Sequence, residues 1–305
     1  MSTKLKSILL SAAALSLVAA HGIPALGQEQ SQSQSTPAQE QSPTAKSAQP
    51  EVDANVAKRA EEQRKKIVAD AETALDQTKK ALALLGDKKM QEAQEALEVA
   101  TGKLELILAR DPKLALAPVD TGVVIHDLYA DPDTVKEAIK EARRLLGEGE
   151  VQKARPLVAN LASEVVFQTT NLPLVAYPAA IKSAAGLVDA NKVDEAKDAL
   201  QAALSTLVIT GVVVPLPVLR AQVILKDAEK LTEDNKRTEE GNKSLAAQLD
   251  EVRKQIRMAE SLGYGKKTDF EPIYAQIKEI EQKSSGGKSG KGWFDRIKKQ
   301  VSDLF

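Results

Sequence analysis

Three stretches of the chain repeat one pattern of apolar and polar positions: LLGDKKMQEAQEAL (84–97), LLGEGEVQKARPLV (145–158) and LVDANKVDEAKDAL (187–200). Each opens on two apolar residues, passes a small or turn-forming residue (Gly86, Gly147, Asp189), crosses polar positions and resumes at Met90, Val151 or Val193. An alanine follows three positions on (Ala93, Ala154, Ala196), and then an apolar pair. Recurrence at i+3, i+6 and i+7 puts these residues on one helical stripe, and the small alanine lets a neighbouring helix approach. The pattern predicts three antiparallel helix hairpins, with the glycines at the left-handed position that closes a helix. Their spacing along the chain is uneven, so they do not form a solenoid of fixed period.

Between the hairpins the pattern changes. TGVVIHDLYADPDT, SEVVFQTTNLPLVAYP and STLVITGVVVPLPVLRA are rich in β-branched residues and proline. They predict short strands or extended crossings at 123–125, 165–170 and 207–214. Pro132 and Pro178 suit the first turn of a following helix, with Asp131 as an N-cap. A long helix is expected after Pro217, broken near Gly241. Its seam of Leu245, Leu249, Val252, Ile256 and Ala259 steps by four and three. Glycines in GYGKK stop it, and a last helix of the body is expected over 271–283, after Phe270. The predicted fold is mainly α: an irregular array of antiparallel hairpins with short extended crossings.

The two ends differ from this body. Residues 1–27 carry Lys4 and Lys6, an apolar run too short to span a bilayer, and small residues at Ala25 and Gly27. That is the pattern of a cleaved signal peptide, and it predicts a periplasmic protein. Residues 28–54 are Gln, Ser, Pro and Ala with almost no large apolar side chain, which predicts a disordered linker. The helical domain is then expected over 55–283, with SSGGKSGKG (284–292) as a flexible tether. On a helix, the tail over 293–305 gathers Trp293, Phe294, Ile297, Val301, Leu304 and Phe305 on one side, with Lys298 at the border. Those seven residues are the expected membrane contacts of an interfacial helix. A helix docked on its own protein is the alternative.

Composition narrows the chemistry. Forty-two basic residues against 43 acidic ones give no excess to attract nucleic acid. There is no cysteine, and only two histidines, so no soft-ligand metal site or cofactor is expected. After signal removal His126 is the one histidine left. No Gly-x-Ser-x-Gly elbow accompanies it, so no catalytic residue is predicted and His126 is read as structural.

The segments LAPVDTGVVIHDLYADPDTVKEAIKEARRLL, TTNLPLVAYPAAIKSAAGLVDANKVDEAKDALQAALSTLV and VVVPLPVLRAQVILKDAEKL resemble the YfdX family over roughly residues 57–262. The resemblance implies a periplasmic, mainly helical protein tied to envelope stress, including heat and acid, with chaperone-like activity and no catalytic residues to carry over. The expected partners are unfolded or stress-damaged envelope proteins and, through the tail, an anionic membrane surface. An oligomer is left open. Pro173, Tyr177, Pro215 and Pro217 are candidate lining for a client groove, with burial as core crossings the other reading. The alternative function is a small-molecule or peptide binding module.

Overall fold

A computed structural model describes residues 41–304. The expected signal peptide, residues 28–40 of the expected linker, and Phe305 lie outside the described residues.

The three hairpins are present as α2 (Ala69–Gly86) with α3 (Met90–Arg110), α4 (Pro132–Gly147) with α5 (Val151–Ala159), and α6 (Tyr177–Asp189) with α7 (Val193–Ser205). Their closures differ in detail from the expectation. Gly86 and Gly147 are the last helical residues, and the left-handed residue comes two positions beyond each helix end, at Lys88, Gly149 and Asn191. All three turns share one hydrogen-bond pattern. Lys89 N donates to Leu84 O at 2.9 Å, Glu150 N to Leu145 O at 2.8 Å and Lys192 N to Leu187 O at 2.9 Å. These are Schellman closures, in which a left-handed C′ residue lets the chain satisfy helix-end carbonyls. The repeat in the sequence is therefore a repeat of helix-end chemistry as well as of the apolar stripe.

After each hairpin the chain enters one strand of a three-stranded antiparallel sheet in the order β1-β2-β3. The strands are β1 (Leu116–His126), β2 (Glu164–Pro173) and β3 (Val208–Pro215). In register, Val123, Phe167 and Val212 lie across one row, and Ile125, Val165 and Val214 across the next row of the same face. β2 joins two apolar cores. Its Leu172 packs with α2, α3, α6, α7 and the start of β1, where Ala117 and Val119 are buried. Its Val165 and Phe167 belong to the second core, built from α1 (Pro43–Arg64), α8 (Leu216–Glu233), α9 (Glu239–Ser261), α10 (Lys267–Ser284) and α11 (Asp295–Ser302).

Four expectations are corrected here. The linker reading fails over 43–54, because this stretch is the first half of α1. Ser42 caps it by accepting from Ala45 N at 3.0 Å, and Pro43 takes a first-turn position. Its apolar stripe is built of small residues, Ala45, Ala48, Val52 and Val56, all buried. The break in the helix after Pro217 lies at 234–238, where Thr238 caps α9; Gly241 sits inside the first turn. The last body helix begins at Lys267, so Phe270 is in it and fully buried.

The fourth correction concerns the tail. Its helix is amphipathic, as the sequence implies, but the apolar face is occupied. Phe294, Ile297 and Val301 are buried in the second core, with Trp293 and Leu304 partly buried against it. Lys298 Nζ donates to both carboxylate oxygens of Glu229 at 2.7 Å. The connector is held too: Gly290 N donates to Thr232 O at 3.1 Å, and Arg237 Nη2 to Lys288 O at 2.8 Å. Gly290 is required for the close approach, since a Cβ there would collide with the Trp293 indole. Of the tail side chains expected to contact a membrane, Phe294, Ile297 and Val301 instead seal the protein's own core.

Candidate functional site

The four residues expected to line a client groove do not come together. Tyr177 is fully buried in the first core, while Pro215 and Pro217 are buried beside Leu216 and Val218 of the second. Pro173 is partly buried at the end of β2. These prolines terminate strands and open helices, so their role is in the crossings themselves. His126 is exposed at the end of β1, and its neighbour Asp127 is engaged elsewhere.

Two features of the surface do stand out. The first is the edge formed by β3. One side of this strand pairs with β2; the other side carries unpaired backbone donors and acceptors. From Val208 to Val213 every residue is exposed, with Ile209 at 67% and Val212 at 56%. Val212 and Val208 lie on one face of the sheet, Val213 and Ile209 on the other. The opposite edge, β1, is blunted. It carries Pro118 and Asp120 across an irregularity in its pairing. Proline, charge and bulges are the usual guards of a free edge. The stretch 208–214 has none of them.

The second feature is a polar cleft beneath the N-terminus of α1, with a volume of about 40 Å³. Its lining comes from five segments: α1, the β1–α4 loop, Ser163 ahead of β2, α8 and α9. Arg220, on α8, is 3% exposed. Its Nη2 donates to Asp127 Oδ2 at 2.6 Å and to Gln49 Oε1 at 3.2 Å, and its guanidinium lies 5.5 Å from the centroid of the Tyr129 ring. Desolvation raises the Tyr129 hydroxyl above its ordinary pKa, and the Asp127 carboxylate adds to this. Nearby, Tyr264 donates to Glu164 Oε2 at 2.7 Å and accepts from Ser163 N at 2.9 Å. Burial and then Glu164 push that phenol upward as well. The cleft thus locks the sheet to α1, α8 and the end of α9. The sequence carries a signal for it. Arg220 is the sole charge in VVVPLPVLRAQVIL (212–225), and a charge in an apolar run has to find a partner.

Among the described residues no group of three or more acidic or histidine side chains is placed to hold a metal, and no helix is long and apolar enough to cross a membrane.

Comparison with known proteins gives one family. The family described as YfdX protein matches residues 74–213. A crystal structure of Salmonella Typhi YfdX aligns with 49% of this chain and 93% of its own, at 17% identity and a TM-score of 0.35. No curated protein matches. Asp127, Ser163 and the exposed part of β3 up to Val213 fall within the matched stretch, whereas Arg220 and α9 lie beyond it. Residues 74–213, from within α2 to near the end of β3, accordingly match the YfdX family.

Proposed function

We propose that this chain is a non-enzymatic periplasmic stress-tolerance protein that binds extended apolar segments of damaged proteins by strand addition to β3. The observation that carries the reading is the unguarded edge from Val208 to Val213. Its backbone groups would pair with any extended chain, whatever its sequence, and its valines and Ile209 would take alternate side chains on both faces. A binder of many damaged clients needs that combination of sequence-blind hydrogen bonding and apolar contact. The amino-terminal signal pattern supports export, and the resemblance to the YfdX family supports the stress setting.

The test is suppression of heat-induced aggregation of an unrelated client, with citrate synthase as the probe. The wild-type chain is expected to suppress light scattering near one-to-one ratios. Ile209→Lys with Val212→Lys, which adds two edge charges at exposed positions, is expected to abolish suppression without lowering the protein's own melting temperature. Equal suppression by this variant would overturn the reading.

A further inference from the structure

We infer that the cleft beneath α1 is a binding site for the ammonium head of a small amine, with Glu251 as its counter-charge. The site uses no residue of the exposed β3 edge. Among the described residues, two charged side chains are less than a tenth exposed, Arg220 at 3% and Glu251 at 7%. Both line this one cleft. Arg220 has its counter-ion in Asp127. Glu251 has none among the described residues: its Oε1 accepts from Gln255 Nε2 at 2.7 Å, and no described lysine or arginine forms an ion pair with it. A desolvated carboxylate without a cation is costly, and the cost is relieved by a charged donor that enters the site.

The surroundings decide which donor fits. Arg220 is held by Asp127 and Gln49 and cannot swing across. Lys254 lines the cleft one helical turn from Glu251 yet makes no ion pair with it. A metal ion would want several oxygen ligands, and Glu251 with Gln255 supplies too few. An ammonium needs only one carboxylate and a few neutral acceptors, which Ser42, Gln41 and Gln255 offer around the cleft. The aromatic Tyr129 and the Met258 and Pro217 side chains give the alkyl part of an amine an apolar wall. A quaternary ammonium lacks the N–H donors that the carboxylate and these acceptors require.

The experiment is saturation-transfer NMR on the full chain, with methylammonium chloride as the probe and tetramethylammonium chloride at equal ionic strength as the comparison. The expected result is saturation of the methylammonium methyl with a dissociation constant roughly in the millimolar range, as so few atoms permit, and no transfer to tetramethylammonium. Glu251→Gln is expected to weaken binding by about tenfold or more, the worth of one charged hydrogen bond, while Glu137→Gln on the exposed face of α4 leaves it unchanged. Equal transfer to both cations in the wild-type chain, no transfer to either, or undiminished binding in a folded Glu251→Gln variant would each overturn the assignment.

Discussion

Arg220 shows how one side chain can set the geometry of several elements. It reaches from α8 to Asp127 in the β1–α4 loop and to Gln49 on α1. Removing one member of a buried ion pair leaves the other desolvated and uncompensated, at about 3–5 kcal/mol. Asp127 keeps 18% of its side-chain exposure, so the lower end applies. Arg220→Ala is expected to lower the free energy of unfolding by about 3 kcal/mol in urea titration. Arg220→Met with Asp127→Leu is expected to lose less, because neither charge remains. The sequence marks Arg220 as a charge needing a partner, but it cannot choose Asp127 among 43 acidic residues; that choice is made by the loop after β1. Tyr177 is the reverse case. The Tyr-Pro pair at a helix entry is readable, yet the sequence does not reveal that the side chain is fully buried. Burial pushes that phenol up to about 12, against the opposing influence of Thr78, whose hydroxyl is committed to Ala74 O at 2.8 Å.

Among the helices and strands, periodicity is a reliable guide where large apolar residues carry it and fails where small ones do. The hairpins and the α9 seam are visible because Leu, Ile and Val repeat. The stripe of α1 is two alanines and two valines in a Gln- and Pro-rich setting, and its burial depends on α8 lying alongside. In the α4–α5 turn, Gly149 sits at φ 78° with open space around the position of a Cβ, so backbone conformation, and not crowding, is what favours glycine there. Gly149→Ala should therefore cost about 1 kcal/mol of stability, the left-handed penalty of an L-residue, measured by thermal or urea unfolding. The tail is a second element whose sequence has two readings. An amphipathic stripe does not say whether its partner is a bilayer or a protein, and the glycines before it suggest slack that Thr232 and Arg237 take up. Trp293 is the single tryptophan, so its fluorescence reports on this element alone. Ile297→Asp is expected to undock α11 and move Trp293 emission to the red while the far-ultraviolet helical signal persists. In the wild-type chain anionic vesicles should leave the emission unchanged; a vesicle-induced blue shift would mean that the helix leaves its dock for the membrane.

In the assembled fold, three hairpins feed three strands, and β2 stitches together two cores. The hairpins are irregularly spaced chiefly because their return helices differ in length: α3 has 21 residues and α5 has 9. The strands are legible in the sequence but their order is not, and the order is what leaves β3 open. Had β3 lain in the centre, its valines would have been ordinary core. The proposed function stands on this edge receiving an extended chain. Hydrogen–deuterium exchange by mass spectrometry tests that step, with reduced, carboxymethylated lactalbumin as a permanently unfolded client. The amides of 208–213 that face away from β2 are free to exchange in the isolated protein. They should become protected when the client binds, with α2 to α7 unchanged. Client binding with no new protection in β3, or with protection confined to another surface, would contradict strand addition.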